Sequence, residues 1–360
     1  MTSRQRVLTA MTGGMPDRVP CDMSWGMTPL AYKTFVEHTG GALSPDEYFQ
    51  CDVRYVSFKD PIQDTHLYDE FFTGLAHKQT FSINTWGVGE QKSETSIYHF
   101  AHIISPLRDA DTLNEIIDFP LPDFTGTDCH ITLEQDVSAI HDKDLAAAGQ
   151  GDLTLFELAW AIRGFENFME DMLIRPDLAD CLLDRLLETR LFNVRRLAEA
   201  GVDVLTCGDD VSCQRGMIIS PDLFRRFLIP RYNKMIHTAK EINKNLLIFF
   251  HTDGDPGEII PDLIEVGVNI LNPCQPECND FQMLKKTYGH KLAFWGAVGI
   301  QDLLPFGTTD DIRKEIKRVI NTLGDGGGLL LGPTHVIEPE VPWSNLTALY
   351  EAINEIGRYC

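Results

Sequence analysis

Short, unbroken apolar runs alternate with longer amphipathic segments from about residue 150 onward. A continuous apolar run is typical of a strand buried on both faces of a parallel sheet. The runs cover 152–159, 202–208, 246–251, 268–273, 291–297 and 327–333. Segments with helical periodicity lie between them at 177–200, 221–243, 257–266, 279–288 and 309–323. This alternation predicts right-handed βαβ units arranged around one parallel sheet.

Two further apolar runs near the N-terminus bring the predicted strand count to eight. They are "RVPCDMS" (18–24) and "DVRYVSF" (52–58). Eight β/α units close into a TIM barrel, and 360 residues suit one such domain. A doubly wound open sheet is the alternative, but no Gly-rich phosphate fingerprint follows any run. We therefore predict an α/β fold, an eight-stranded β/α (TIM) barrel, formed by residues 1–360 as a single domain.

Residues 65–130 interrupt this pattern. In the stretch "QTFSINTWGVGEQKSETSIYHFAHIISPL" (79–107), polar and aromatic residues alternate, which is typical of β-hairpins. No linker or low-complexity segment separates it from its surroundings. We therefore predict an N-terminal β-hairpin excursion within the barrel rather than a second domain.

Composition and charge exclude several classes of partner. No stretch of about 20 residues is free of charge, so no membrane span is expected. The N-terminus lacks the apolar centre of a signal peptide, and nine cysteines show no paired framework. The net charge of −22 argues against nucleic acid or an anionic membrane as a partner. These features predict a cytoplasmic protein with reduced thiols.

Potential metal ligands and acids follow the predicted strands. In a β/α barrel the active site lies at the C-terminal ends of the strands. The residues that follow the successive runs are Glu157; Cys207, Asp209 and Asp210; His251, Asp253 and Asp255; Cys274 and Cys278; Gly296 and Gln301; Thr334 and His335. Imidazole, thiolate and carboxylate are the ligands of zinc, although none of these spacings is a local zinc signature. The alternative is that His251 caps a loop and Cys274 packs in the core.

Four segments resemble proteins related to uroporphyrinogen decarboxylase. They are "MTSRQRVLTAMTGGMPDRVP" at the start, "GMIISPDLFRRFLIPRY" (216–232), "FFHTDGD" (249–255) and "GGGLLLGPTHVIEPEVPWSNLTALYEAI" (326–353). The resemblance covers nearly the whole chain and implies a β/α barrel. It implies one of two chemistries, cofactor-free decarboxylation of a tetrapyrrole or zinc-dependent methyl transfer involving a corrinoid protein, and the fold alone does not choose between them.

The decarboxylases of this superfamily carry an Arg-Gln-Ala-Gly motif after their first strand. This sequence has "SWGMTPLAYK" (24–33) in that region, without an arginine. The predicted rim is also acidic, which disfavours a substrate rich in carboxylates. Both observations weigh against the tetrapyrrole reaction.

The thiol-methylating members carry His-x-Cys after a strand and a second cysteine near the C-terminus. Here the first motif reads His251-Thr252-Asp253, and "GPTH" (332–335) occupies the second region. Both thiol ligands are absent from their expected places, so thiol activation is in doubt. Other members transfer a methyl group from a substrate to cob(I)alamin, and a site of imidazole and carboxylate suits zinc in that role.

The resemblance and the predicted rim together favour a zinc-dependent methyltransferase that takes an O- or N-methyl group from a small molecule. The chain lacks the Asp-x-His-x-x-Gly pattern of corrinoid-binding domains, so the cobalamin is expected on a partner protein. A cofactor-free decarboxylase and a non-catalytic corrinoid or small-molecule binder remain as alternatives. We predict His251, Asp253, Cys274 and His335 as metal ligands; His251, Glu157, Asp209 and His335 as catalytic residues; and Trp25, Trp86 and Asp210 as substrate-binding residues.

Overall fold

The computed structural model describes residues 1–62, 64–74, 80–93, 96–98 and 100–359. Its strands are β1 (Val53–Ser57), β2 (Phe81–Ile83), β3 (Gly89–Lys92), β4 (Ala101–Ile104), β5 (Ala146–Leu153), β6 (Val204–Gly208), β7 (Ser212–Cys213), β8 (Gly216–Met217), β9 (Leu247–His251), β10 (Ile270–Asn272), β11 (Ala293–Val298) and β12 (Leu329–Pro333).

The helices alternate with these strands. They are α1 (Ser3–Met11), α2 (Pro29–Thr39), α3 (Pro45–Tyr48), α4 (Leu113–Asp118), α5 (Thr127–His130), α6 (Leu133–His141), α7 (Phe156–Arg163), α8 (Phe165–Ile174), α9 (Pro176–Ala200), α10 (Pro221–Leu223), α11 (Ile229–Ile242), α12 (Ile260–Glu265), α13 (Phe281–Tyr288), α14 (Leu303–Phe306), α15 (Thr309–Thr322) and α16 (Trp343–Ile356). A 3-10 helix covers Thr65–Phe72, and a π-helical turn, Phe224–Leu228, joins α10 to α11. Within the described residues, no helix is both long enough and apolar enough to cross a bilayer.

Seven parallel strands form the main sheet, in the order β1-β5-β6-β9-β10-β11-β12. The predicted α/β fold is confirmed, but the predicted count of eight strands is not reached in the described residues. The run 18–24 forms no strand. It makes a parallel bridge from Cys21 to Leu331 on β12, and the Cys21 carbonyl accepts from the Asp52 amide beside β1. Residues 20–22 therefore lie between the two edge strands of the curled sheet.

The first predicted run was placed too late in the chain. The strand is β5, with the sequence AAAGQGDL, whereas the apolar residues from 156 onward begin α7. Alanine and glycine give a weak strand signal, but they allow close packing here. A Cβ at Gly149 would lie 3.2 Å from both Leu197 and Val202, so the helix layer leaves little room above β5.

The main sheet separates two apolar layers. Alternate residues of its strands, such as Val204, Phe249 and Trp295, form an inner cluster with Val7 and Met11 of α1. Helix α1 contacts β1, β5, β11 and β12, so it covers one end of this inner cluster. A larger cluster lies between the sheet and the surrounding helices. The period of two along each strand decides which side chains point inward.

The excursion predicted at 65–130 contains the three-stranded antiparallel sheet β2-β3-β4. Within that range, residues 75–79, 94–95 and 99 lie outside the described residues. Arg163 and Arg185 donate to backbone carbonyls at Leu107, Ile116 and Phe119. These bonds join the C-terminal part of the excursion to α7 and α9.

Candidate metal centre

His251 lies at the C-terminal end of β9 on the inner face of the main sheet. It is two residues beyond the inward-facing Phe249, and its neighbours in register are Gly208 on β6 and Asn272 on β10. A Cβ at position 208 would come within 2.2 Å of the His251 carbonyl oxygen. Only glycine allows β6 and β9 to approach this closely. We call this end of the sheet, where the strands finish, the mouth.

Asn272 determines which nitrogen of the His251 ring carries a proton. The Asn272 amide nitrogen donates to the carbonyl of Trp295 at 2.9 Å, so its Oδ1 is left to face Nδ1 of His251 at 2.6 Å. A carbonyl only accepts, so Nδ1 of His251 must carry the proton. In the neutral ring, Nε2 then presents a lone pair toward Asp210 and Asp253, at 3.6 and 3.8 Å.

Three potential ligands converge at the mouth. Single donor atoms of His251, Asp253 and His335 all lie within 4.8 Å of one another. The His251 and His335 rings have centroids 6.3 Å apart, which confirms that these residues meet at one rim. Oδ1 of Asp253 is buried and has no hydrogen-bond partner in the described structure. Burial raises the pKa of Asp253 to about 6, Asp210 adds to the rise, and His251 opposes it.

A metal ion fits this donor set. The aligned Nε2 lone pair and the orphaned Asp253 oxygen both lack a strong partner, and a cation would satisfy both. Two imidazoles and one carboxylate match the composition of known catalytic zinc sites, which keep a further position open.

Asp209 was predicted as catalytic, but its carboxylate caps helix α7. The backbone amides of Leu155, Phe156 and Glu157 donate to it at 2.8–3.1 Å, and the Tyr232 hydroxyl donates to Oδ2. The side chain is fully buried. The helix begins without a side-chain cap of its own, and Asp209 supplies the missing acceptor. Its oxygens are thus turned toward the helix, away from the metal ligands.

Glu157 and Asp210 lie beside the three ligands. Burial raises the pKa of Glu157 to about 9, with added repulsion from Asp210 and Asp209. The Asp210 amide donates to Glu157 Oε2 at 3.1 Å, and Asp210 Oδ1 in turn accepts from the Asp253 amide at 2.7 Å. A protonated carboxyl and an acceptor carboxylate therefore flank the candidate metal site.

Cys274, predicted as a metal ligand, is not part of the centre. It is buried in the outer apolar cluster, and its Sγ contacts the Leu271 carbonyl at 3.6 Å. Its left-handed backbone, with φ of 54°, belongs to the turn that follows β10. Placement after a strand gives no information about the direction of the side chain in such a turn.

The two tryptophans predicted to bind substrate lie in different cavities. Trp25 packs edge-on against His251 at 5.2 Å and lines a cavity of about 60 Å³ at the mouth, with Gln150 and Thr206. Trp86 lines a neighbouring cavity, where Arg190 and Phe124 contact its ring.

Asn272 and Gln150 were missed in the sequence. Asn272 could have been found, because a polar residue that ends the run "VNILNP" lies at the rim like His251. Gln150 carried no such signal, since its strand was not recognised.

The model of the family described as Uroporphyrinogen decarboxylase (URO-D) matches residues 150–356, which include every strand of the main sheet from β6 onward. The chain belongs to the URO-D family. The match includes three of the four segments that carry the resemblance, 216–232, 249–255 and 326–353, and confirms the predicted family.

Among relatives of this URO-D family member, the uroporphyrinogen decarboxylase of Legionella pneumophila (strain Corby) is 24% identical over 195 residues. That alignment covers 54% of this chain and 53% of the relative. The same enzyme of Syntrophotalea carbinolica is 24% identical over 182 residues, 50% of each chain. The chain thus spans about half the length of the curated relatives it matches.

A solved structure described as a methyltransferase from Methanosarcina mazei superposes on this URO-D family member with a TM-score of 0.69. The superposition covers 99% of both chains at 21% sequence identity. At this identity the similarity establishes the fold over the full length.

Proposed function

We propose that this URO-D family member is a zinc-dependent methyltransferase that moves an O- or N-methyl group from a small molecule to cobalamin carried by a corrinoid protein. The observation that carries the proposal is the convergence of His251, Asp253 and His335 within 4.8 Å at the mouth. The similarity to a structure described as a methyltransferase is consistent with it. We also propose that residues 20–22, although they form no regular strand, take the place of an eighth strand and close the curled sheet into a β/α barrel.

The ligand set suits a Lewis acid acting on oxygen or nitrogen. His251, Asp253 and His335 would hold the zinc, and bound zinc would stabilise the negative charge that develops on the leaving heteroatom. The absence of a cysteine from the cluster removes the usual basis for activating a thiol. We therefore infer that the site accepts a methylated alcohol, phenol or amine as the donor.

Glu157 is suited to act as a general acid. Its raised pKa keeps the carboxyl group protonated at neutral pH. Because Oε2 accepts from the Asp210 amide, the proton is held on the other oxygen, Oε1. When a methyl ether or a methylamine gives up its methyl group as a cation, the oxygen or nitrogen left behind gains an electron pair and needs a proton, and Glu157 would supply it.

The acidic mouth also bears on the decarboxylase alternative. Asp210 and Asp253 lie beside the Nε2 atom of His251, and charged carboxylates there would repel a substrate carrying many carboxylates. The curated relatives are decarboxylases, so this alternative is included as an outcome of the test.

His251→Ala tests the proposal. We expect bound zinc to fall to a small fraction of the wild-type content and methylcobalamin formation to fall by about 100-fold or more. His237→Ala is the control, because His237 is exposed on α11 and pairs only with Glu241 at 3.1 Å in the described structure. Zinc is measured by elemental analysis, and methylcobalamin by its absorbance with methoxy-aromatic and methylamine donors.

Retention of zinc and activity by His251→Ala would refute the site. Release of carbon dioxide from a porphyrinogen by metal-free wild type would establish the decarboxylase alternative instead. A wild type that binds small molecules without either reaction would support the non-catalytic binder.

A further inference from the structure

The π-helical turn Phe224–Leu228 changes the helical register just before α11 begins. Such turns insert one extra residue into a helix and often lie near functional sites. Arg231 and Tyr232 follow within the first four residues of α11, about 100° apart around the helix axis. Arg231 points to α9, where its guanidinium donates to Asp184 at 2.9 Å and to Asp180 at 3.0 Å. Tyr232 faces the strands instead, and it is fully buried.

The Tyr232 hydroxyl donates to the carboxylate that caps α7. Its acceptor is Oδ2 of Asp209, the atom that also accepts from the amides of Leu155 and Phe156 at 2.9 Å. Burial, followed by the Asp209 charge, raises the pKa of Tyr232 well above its usual value, so the hydroxyl keeps its proton and acts as a donor. Oδ1 of Asp209 accepts from the Glu157 amide at 2.8 Å. Through Asp209 the hydroxyl is thus linked to the first turn of α7, which contains Glu157.

The Tyr232 ring packs against the strand that carries His251. It contacts Phe250 of β9 edge to face, with ring centroids 5.1 Å apart and ring planes at 78°. Phe250 immediately precedes His251 at the end of β9, and the Asp209 amide donates to the His251 carbonyl at 3.0 Å. One side chain of α11 therefore contacts the residues beside both halves of the site, the carboxyl group on α7 and the imidazole on β9.

We propose that Tyr232 is a positioning residue that holds Glu157 in place relative to the candidate metal site. The inference rests on the proposed methyltransferase function, in which Glu157 donates a proton to the leaving heteroatom. Tyr232 is buried away from the substrate and acts through Asp209. Without the hydroxyl, the buried Asp209 carboxylate loses a charge-assisted hydrogen bond and can rotate, so its hold on the first turn of α7 weakens. Proton transfer is sensitive to such a shift, because a general acid must lie within hydrogen-bonding reach of the atom that it protonates.

Tyr232→Phe removes the hydroxyl and keeps the ring against Phe250. We expect kcat for methyl transfer to fall by about 10–100-fold, because the acid is displaced from the leaving atom. KM and zinc content should stay within about twofold of wild type, because the candidate metal ligands lose no contact. Tyr359→Phe is the control, since Tyr359 donates to the Gly324 carbonyl at 3.2 Å in the turn before β12, at the opposite end of the sheet. Thermal unfolding of both variants shows whether the fold persists.

Infrared spectroscopy of chelator-treated protein tests the same contact without catalysis. The carbonyl band of protonated Glu157 is identified by comparing each protein with the same protein carrying Glu157→Gln. We expect Tyr232→Phe to shift this band and Tyr359→Phe to leave it in place. 3-Fluorotyrosine at position 232 keeps the hydroxyl and makes it a stronger donor to Asp209, so it should shift the band in the opposite direction. A residue that only stabilises the fold would not produce opposed shifts.

The outcomes distinguish the positioning role from the function. A folded Tyr232→Phe protein with wild-type kcat, a Glu157 band that neither change at position 232 moves, or a wild type without a protonated Glu157 band would overturn the inference. If Tyr232→Phe does not fold, the band of the 3-fluorotyrosine protein decides the result. If the bands shift as expected but wild type with zinc forms no methylcobalamin from any donor, the positioning role stands and the proposed function fails.

Discussion

At the scale of single residues, the chemistry of the mouth depends on which atoms carry protons. A series of hydrogen bonds fixes the His251 ring: Asn272 accepts from Nδ1 and donates to the Trp295 carbonyl, and the Trp295 indole donates to the buried Asp22 at 3.2 Å. Burial raises the pKa of Asp22 to about 7. Asp22 holds the Trp295 indole, the Trp295 carbonyl holds the Asn272 amide, and Asn272 holds the His251 ring. The Nε2 lone pair of His251 is therefore oriented toward Asp210 and Asp253 before any metal binds.

Asn272→Leu should weaken metal binding without removing a ligand. The substitution leaves Nδ1 without its acceptor, so the ring can adopt the other tautomer or rotate. We expect zinc affinity to fall by about 10–100-fold. The measurement is competition with a chromogenic chelator at constant pH. Asn269→Leu is the matched control, because Asn269 accepts hydrogen bonds at the opposite end of β10. Equal zinc affinity in Asn272→Leu and the control would show that the amide does not orient the ring.

Glu157→Gln should change how stability depends on pH. Burial raises the folded-state pKa of Glu157 to about 9, above its usual value near 4.5. Between these values the unfolded chain releases the proton and the folded chain keeps it, so this group lowers the free energy of unfolding as pH rises. Below pH 4 the group is protonated in both states and contributes no difference.

Glutamine cannot ionise, and its carbonyl can still accept from the Asp210 amide. We therefore expect Glu157→Gln to gain stability relative to wild type as pH rises from 5 to 9, by up to about 1 kcal/mol per pH unit. Urea unfolding of chelator-treated protein at pH 5, 7 and 9 measures the difference. A difference that does not vary with pH would mean that Glu157 is ionised in the folded protein.

At the scale of elements, the start of α7 is capped by a residue that follows the next strand in the chain, β6. Asp209, which follows β6, accepts from three amides at the beginning of this helix. A carboxylate at a helix N-terminus also interacts favourably with the helix dipole. The cap fixes the first turn of α7, and Glu157 belongs to that turn. Asp209 thus positions Glu157 at the mouth and is not itself one of the three candidate metal ligands.

Asp209→Ala should destabilise the protein strongly. It leaves three buried amides and the Tyr232 hydroxyl without their acceptor, so we expect a loss of about 3 kcal/mol or more in the free energy of unfolding. Asp209→Asn keeps one carbonyl acceptor and should lose less. Urea unfolding of the three proteins gives the values. A loss below about 1 kcal/mol in Asp209→Ala would show that water or another group can replace the cap.

The strands show what could be read from the sequence and what could not. Runs such as 246–251 were placed within a residue or two because strands buried on both faces are apolar throughout. The residues that follow these runs, His251, Asp253 and His335, were therefore correctly placed at one rim, because parallel strands end at the same edge of the sheet. The roles of Asp209 and Cys274 could not be read, because the direction of a side chain after a strand depends on turn geometry and on distant partners such as α7. The alanine-rich β5 was misplaced because tertiary packing, not propensity, makes it a strand.

At the scale of the whole molecule, the N-terminal segment joins the two edges of the main sheet. The buried carboxylate of Asp52 accepts from Arg6 of α1 at 2.8 Å, from Arg18 at 2.8 and 3.0 Å, and from the Cys21 amide at 2.9 Å. These bonds tie α1, the bridging residues 20–22 and the start of β1 together. They lie at the N-terminal ends of the strands, whereas the candidate metal ligands lie at the mouth. The stabilising ion pairs and the candidate metal site are thus at opposite ends of the sheet, an arrangement typical of β/α barrels.

Asp52→Ala tests this separation. Removing the shared acceptor leaves two guanidinium groups without their buried partner, so we expect a loss of about 3–5 kcal/mol in the free energy of unfolding. Zinc affinity and the methyl-transfer rate per folded molecule should stay within about twofold of wild type, because no candidate ligand or mouth residue contacts Asp52 in the described structure.

Asp17→Ala is the control, since Asp17 also pairs with Arg6 but is exposed. We expect it to lose less than about 1 kcal/mol. A folded Asp52→Ala protein with weakened zinc binding would contradict the separation, and would show that strain at the closing segment is transmitted along the strands to the mouth.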